Sequence, residues 1–287
     1  MVKKRFSLFD IIIYAIISLF AAATVFPFIN VIAISISDLS VSLSNPLVLI
    51  PRKLDFSSYK VLFENPLLLA CYRNTVVITV VGTFFSMLLT ITTAFPLSRG
   101  KFMMRPFFVY VIVFTMLFNG GLIPNFYLVS SLGMYDTLWA LIVPGSLSAF
   151  NIILLINFFK SIPESLLEAA KIDGASDFQV LVLIMLPLSL AILATLTLFY
   201  AVGRWNSFFN AVIYIRDRNK WTLQLFLREI LIAISSPFRR PDETQNYIPP
   251  QSVRYASIIV VVIPILTVYP FLQKYFIKGV MLGSVKE

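Results

Sequence analysis

Long apolar runs recur along this chain, and each approaches the length of about 20 residues with which a helix crosses a hydrocarbon core of ~30 Å. Charged residues make up only 13% of the chain, whereas soluble domains carry about 25%. Because 59% of the residues are hydrophobic, polar side chains are too few to cover a core in water, and lipid is the expected surroundings. The sequence therefore predicts an all-α, polytopic membrane helix bundle that forms a single domain over residues 1–287. Six spans are predicted, at residues 9–36, 74–97, 106–118 with an extension towards 129, 137–159, 178–202 and 252–272.

Basic residues indicate how the bundle is oriented. They cluster at the N-terminus (residues 3–5), between the second and third spans, and in the C-terminal tail. Lys and Arg are enriched in cytoplasmic loops, so the pattern predicts six transmembrane helices with both termini cytoplasmic. Residues 203–251 then form an extracytoplasmic loop, although they include seven basic residues. The charge rule is weakest for loops of this length, so the orientation is kept.

Missing residue types argue against several functions. The chain has no histidine and a single cysteine, Cys71, which removes the commonest general base and any cysteine-based metal cluster. No metal site is predicted. Acidic pairs and charged side chains are absent from the middle of the predicted spans, which disfavours an intramembrane enzyme or an ion-coupled secondary transporter. The net charge of +9 matches basic membrane flanks, and no nucleic-acid partner is expected.

One loop is polar where the rest of the chain is apolar. It covers residues 159–187, between the fourth and fifth spans, and is predicted to lie in the cytoplasm. A short helix is expected to begin at Pro163 with Ser161 as its cap, because proline is tolerated in a first helical turn. Gly174 then permits a sharp turn before the next helix. Four residues give the short helix a small apolar face suited to docking: Leu166, Leu167, Ala169 and Ala170.

This loop resembles the EAA loop of ATP-driven (ABC-type) importer permeases. The pattern EAA-x3-G-x9-I-x-L-P is met at every position, from Glu168 to Pro187. The resemblance implies a coupling helix that docks on an ATPase subunit. It also implies that the chain is a transport subunit and not an enzyme. The contact would be formed by Glu168, Ala169, Ala170, Asp173 and Gly174.

The same resemblance implies the partners. The chain has no phosphate-binding G-x-x-x-x-G-K-[ST] loop, so it binds no cofactor itself, and ATP and Mg would belong to two partner ATPase subunits. A second homologous permease subunit and an extracytoplasmic solute-binding protein would complete the assembly. Its place would be the bacterial plasma (inner) membrane, in contact with lipid.

Other motifs are similar to the carbohydrate-uptake branch of that family. They are Phe56-Ser57-Ser58-Tyr59 with Asn74-Thr75, Trp205-Asn206-Ser207-Phe208-Phe209, and the tail from Gln273 to Lys286. The run Asn119-Gly120-Gly121-Leu122-Ile123-Pro124 resembles a sub-branch assigned to complex oligosaccharides, including uronate-containing ones. The resemblance thus implies import of a sugar by alternating access. A permease for another small solute and an ion-coupled secondary transporter are the alternatives.

Aromatic and amide side chains are candidates for the substrate pathway, since sugars are recognised by such groups. The candidates are Tyr127, Tyr200, Trp205 and Asn206. Trp and Tyr also form interfacial belts, which is the competing interpretation of Tyr127 and Trp205. The basic outer loop is consistent with an anionic substrate, with docking of an acidic patch on a binding protein, or with plain solvation of its charges. Within that loop, residues 221–232 are predicted to form a surface helix.

Overall fold

The computed structural model describes residues 8–38, 47–51, 53–100, 102–232 and 251–284. These residues are almost entirely helical, and an isolated antiparallel bridge joins Ser37 to Leu54. The predicted all-α class is therefore confirmed for the described part of the chain. The helices are α1 (Leu8–Ser35), α2 (Ser57–Phe63), α3 (Pro66–Ser98), α4 (Arg105–Leu117), α5 (Leu122–Ser131), α6 (Trp139–Ile142), α7 (Ala149–Ser161), α8 (Glu164–Ile172), α9 (Asp177–Leu188), α10 (Leu190–Trp205), α11 (Phe209–Tyr214), α12 (Leu223–Ile232) and α13 (Gln251–Ser284).

Within these ranges, two helices, α1 and α3, are long and apolar enough to cross a membrane alone. Three helix pairs meet the same criterion jointly, but each is sharply bent. The angles are 117° between α4 and α5, 72° between α7 and α8, and 83° between α9 and α10. Counting each bent pair as one span gives up to five. Within α13, residues Gln251–Thr267 form a shorter apolar helix of the part of the chain that the structure describes.

The second predicted span begins earlier than the hydropathy indicated. Helix α3 starts at Pro66, so Asn74 and Thr75 lie inside it and do not open it. Asn65 precedes the helix, and its Oδ1 accepts a hydrogen bond from the Leu67 amide at 2.9 Å. An asparagine cap followed by proline in the first turn is a strong helix start, and this local signal overrides the hydropathy boundary.

The fourth predicted span is not one helix. It is divided into α6 and α7 by a turn at Pro144 and Gly145, where Gly145 has φ of 73°. Proline ends α6 by removing a backbone donor, and glycine permits the left-handed turn. Ser148 then caps α7 by accepting from the Asn151 amide. The fifth predicted span is also interrupted, by a π-helical stretch at Val180–Met185 and the bend after Leu188.

The chain divides into two compact units. The first contains residues 1–68 and 227–263, where Asn30 donates to the Val48 carbonyl at 3.1 Å beside Ile34 and Tyr255. The second contains residues 69–226 and 264–287. One of its buried clusters joins α3, α7, α8, α9 and α10 around Leu155, Phe159 and Met185. Another joins α3, α5, α6 and α11 around Ile78 and Tyr214.

Several residues used for the orientation lie outside the described residues. They are residues 3–5, Lys101, Arg239, Arg240 and Lys286. Of the extracytoplasmic loop predicted for residues 203–251, the structure describes residues 203–232 and Gln251; the first three residues continue α10, and Gln251 begins α13.

Candidate functional site

Helix α8 is a short helix closed by a glycine turn, as its sequence predicts. Gly174 has φ of 85°, the Ala175 amide donates to the Ala170 carbonyl at 2.9 Å, and the Gly174 amide donates to Lys171 at 3.1 Å. These two bonds form a Schellman motif, which satisfies the last carbonyls of the helix. The predicted cap is wrong: Ser161 is the last residue of α7, its hydroxyl donates to Phe158, and Pro163 stands before α8.

A capping box follows the glycine turn, and the sequence interpretation missed it. The Gln179 amide donates to the Ser176 hydroxyl at 3.3 Å, and Gln179 Oε1 accepts from the Ser176 amide at 2.8 Å. The spacing S-x-x-Q is readable in the sequence. Lys171 Nζ lies 2.7 Å from Asp177 Oδ1 across the turn. Both ends of the turn are thus fixed by local bonds.

The four apolar residues of α8 do not share one face. Leu167 is 4% exposed, and together with Ala170 it packs into the cluster around Phe159. Leu166 and Ala169 are exposed. Four of the five predicted coupling residues are exposed: Glu168, Ala169, Asp173 and Gly174. Ile172, a large apolar residue at the end of α8, is 86% exposed.

A cavity of about 290 Å³ lies between α8 and the end of α3. Its wall brings Glu164 and Glu168 together with the basic residues Arg99 and Lys171, and Asp177 completes the charged rim. The guanidinium carbon of Arg99 lies 5.3 Å from the centre of the Phe95 ring. The side of α8 that carries Glu168 therefore combines charge with an adjacent recess, which suits docking of another protein.

A second cavity, of about 420 Å³, lies within the second unit. Polar and aromatic side chains both contribute to its lining. Among the predicted pathway residues, Tyr200 lines it. The lining also includes Ser148, Phe150, Asn151, Phe199, Arg204, Ser207 and Asn210.

The Tyr200 hydroxyl joins two elements of this wall. It lies 2.7 Å from Thr90 Oγ1 in α3 and accepts from the Ser148 amide at 3.3 Å, and the Thr90 side chain is fully buried. Tyr200 thus fixes α10 to α3 and to the start of α7, and it lines the cavity.

We expect Tyr200→Phe to destabilise the chain by about 1–3 kcal/mol, because the Thr90 hydroxyl would stay buried without a partner. A chain of this size loses about 2–4 °C in unfolding temperature per kcal/mol. Cys71 is the only cysteine and is buried, so its reaction with a thiol dye on heating reports unfolding. Tyr127→Phe is the matched control, since Tyr127 is 69% exposed. An equal effect of both substitutions would contradict the role given to the Tyr200 hydroxyl.

The other three predicted pathway residues are not among those that line this cavity. Tyr127 sits in α5 with its ring beside Phe126. Trp205 is buried against Tyr72 in an edge-to-face arrangement with ring centres 6.0 Å apart. The Asn206 amide oxygen accepts from Gln224 at 3.2 Å. The structure therefore does not bring the four residues together.

Arg204 is a site residue that the sequence interpretation placed in the basic outer loop. It belongs to α10, and its guanidinium donates to the Leu141 carbonyl at 3.0 Å and to the hydroxyls of Ser86 at 2.7 Å and Ser146 at 3.2 Å. Arg204 lies in the last turn of α10, beyond the middle of the predicted fifth span.

Part of the basic loop is folded onto Asp136, a residue with φ of 55°. Its Oδ1 accepts from the amides of Arg216 and Asp217, both at 3.0 Å, and Lys220 Nζ lies 3.2 Å from Oδ2. The Asp217 amide above all holds the pKa of the Asp136 carboxyl below its ordinary value. Helix α12 is likewise no plain surface helix, since Leu223 and Phe226 are buried.

We expect the segment at residues 214–220 to loosen in acid. Since the folded-state pKa of Asp136 is lowered, its stabilisation is complete above the unfolded-state pKa of about 3.9 and is lost as pH falls through the lower folded-state pKa. Hydrogen exchange should show the amides of Arg216 and Asp217 protected at pH 6. Asp136→Ala should raise their exchange at pH 6, and Asp136→Asn should do so less, because the amide oxygen still accepts both bonds. Equal exchange in all three chains would contradict this assignment.

Comparison with known proteins identifies one matching family and several similar proteins. The model of the family described as binding-protein-dependent transport system inner membrane component matches residues 67–281. The polygalacturonan/rhamnogalacturonan transport system permease protein YtcP of Bacillus subtilis is 44% identical, covering 97% of this chain and 98% of that protein. Protein LplC of the same organism is 42% identical, covering 92% of this chain and 90% of that protein.

Among solved structures, one similar chain comes from the crystal structure of a bacterial ABC transporter involved in the import of the acidic polysaccharide alginate. It matches with a TM-score of 0.87 at 33% identity, covering 96% of this chain and 100% of that chain. The fold of this chain is therefore similar to that of a solved chain over 96% of its length.

Proposed function

The chain belongs to the family of binding-protein-dependent transport system inner membrane components, and from this premise we propose that it is a membrane subunit of an ATP-driven importer of uronate-containing oligosaccharides. The family is one of transport components of the inner membrane, not of enzymes. Support for the substrate class comes from relatives whose names specify polygalacturonan and alginate.

Coupling to ATP hydrolysis is assigned to helix α8. The observation that carries it is an exposed helix, closed by a Schellman turn, whose outer surface presents Glu168, Ala169, Asp173 and Gly174. Small side chains allow the backbone of a partner to approach closely. In this proposal α8 docks on one of two ATPase subunits, which bind ATP and Mg. Ala170 supports the docking surface from behind, since it packs inward.

The proposed topology has six spans and cytoplasmic termini, with residues 159–187 in the cytoplasm and residues 203–251 outside. Support comes from the charge bias and from α8, which must meet a cytoplasmic ATPase. In Cys71→Ser chains, a cysteine at Ala169 should react with an impermeant thiol reagent only from the cytoplasmic side, whereas one at Asn219 should react only from the outer side. Labelling of both from one side would overturn the topology.

The substrate pathway is proposed to include the 420 Å³ cavity, with Tyr200 in its wall. Tyr127, Trp205 and Asn206 are proposed to line an outer part of the substrate pathway. A binding protein delivers the sugar, a second permease subunit supplies the other half of the pathway, and ATP binding drives alternating access.

Reconstitution tests the function as a whole. This chain, its partner permease, both ATPase subunits and the binding protein are placed in proteoliposomes. We expect binding protein loaded with oligogalacturonide to stimulate ATP hydrolysis and uptake, and unloaded binding protein to stimulate them far less. Hydrolysis that does not respond to the sugar, with Glu168 and Gly174 intact, would refute the proposed function.

A further inference from the structure

Arg204 is held in one orientation by groups that are distant in sequence. Its three hydrogen bonds reach Ser86 in α3 and Leu141 and Ser146 at the interruption between α6 and α7. Gly82 makes room for this arrangement, because a methyl group at that position would lie 2.7 Å from the guanidinium carbon. The guanidinium of Arg204 therefore packs closely against the backbone of α3 at Gly82.

The positive charge of Arg204 has no acidic partner among the described residues. Its bonds end on two hydroxyls and a carbonyl, and the ion pairs of the described chain involve other side chains. The Nε hydrogen is buried and also lacks an acceptor within the part of the chain that the structure describes. A half-buried cation left without a counter-charge is costly, so a site of this kind favours an anion that arrives from outside the chain.

The cavity next to Arg204 suits a sugar. Its volume of about 420 Å³ lies within the usual range of ligand sites, about 300–1,000 Å³. Ser148, Asn151, Ser207 and Asn210 offer hydroxyl and amide groups for sugar hydroxyls. The rings of Phe150, Phe199 and Tyr200 offer apolar faces. Arg204 adds a positive charge to this lining. The planar N–H donors of a guanidinium fit the two oxygens of a carboxylate.

We propose that Arg204 binds the carboxylate of a uronate residue as the oligosaccharide passes through this cavity, and that Gly82 positions the guanidinium for that contact. This inference rests on the proposed function and adds to it the residue that distinguishes acidic from neutral sugars. Ser86 and Ser146 orient the group. The alternative is a purely structural role, in which Arg204 only joins α10 to α3 and α6.

Two matched substrates separate these roles. Oligogalacturonide and its fully methyl-esterified form have the same length and hydroxyls, but only the first carries carboxylates. Uptake is measured in the complete proteoliposomes, with each ligand supplied at equal, saturating occupancy of the binding protein. Arg204→Gln should lower the uptake rate of the acid about tenfold to a hundredfold and that of the ester much less, since a charge-assisted bond is lost. Arg204→Lys should lie between.

A second variant guards against misfolding of the first. Gly82→Ala should displace the guanidinium and lower the uptake rate of the acid selectively, whereas Gly120→Ala, in open space, should not. Equal losses for acid and ester in both Arg204→Gln and Gly82→Ala would leave only the structural role and overturn the proposal, as would no loss for either substrate. If the unmodified importer responds to neither ligand, the proposed function itself fails and this inference falls with it.

Discussion

Gly174→Val should leave the chain inserted in the membrane and remove at least nine tenths of substrate-stimulated ATP hydrolysis from the assembled importer. The residue has φ of 85°, a conformation that a β-branched residue adopts only under strain. That strain costs on the order of 1–3 kcal/mol. The Schellman turn opens to relieve it, and the end of α8 with Asp173 then loses its fixed position. A docking contact weakened by 1.4 kcal/mol binds about tenfold more weakly.

Two further substitutions show whether the turn is the cause. Asparagine tolerates the left-handed conformation, so Gly174→Asn should keep most of the stimulated hydrolysis. Gly120→Val places the same side chain at a glycine with ordinary φ and open space around it, and should have little effect. Copurification with the ATPase subunits and hydrolysis are measured for each chain. Normal hydrolysis by Gly174→Val would remove α8 from the coupling role.

Features encoded by neighbouring residues were predictable from the sequence. The apolar runs predict membrane helices because each run is contiguous, and Gly174 predicts the end of α8 because a turn depends on one local φ. The start of α3 at Asn65 and Pro66 and the capping box at Ser176 and Gln179 are local signals of the same kind. Both signals are visible in the sequence, but a hydropathy pattern alone does not reveal them.

Long-range contacts account for what the sequence could not reveal. Arg204 lies 118 residues from Ser86 and 58 from Ser146, so nothing beside it in sequence distinguishes it from a solvated loop arginine. Asp136 binds amides 80 and 81 residues away. The inward and outward sides of α8 also depend on which helices surround it. Leu166 and Leu167 look equivalent in sequence and are not equivalent in the fold.

That pair of leucines allows anchoring of α8 to be separated from docking. Leu167→Asp should destabilise the isolated chain strongly, because Leu167 is buried in the cluster with Phe159 and a carboxylate there would have no partner. Loss of a buried leucine alone costs about 2–5 kcal/mol, and desolvating the introduced charge adds to this. Dye labelling of Cys71 should occur at a temperature lower by about 5 °C or more.

Leu166→Asp is the matched control, since Leu166 is 47% exposed on the outer side of α8. The isolated chain should unfold at nearly the normal temperature, while copurification with the ATPase subunits falls because a charge now interrupts an apolar part of the docking surface. The two variants therefore fail at different steps: one before assembly and the other during it. If Leu166→Asp assembles and hydrolyses ATP normally, the outer side of α8 is not the docking surface. If Leu167→Asp unfolds at the normal temperature, α8 is not held by that cluster, and its position beside α3 cannot transmit force from an ATPase to the helices around the cavity.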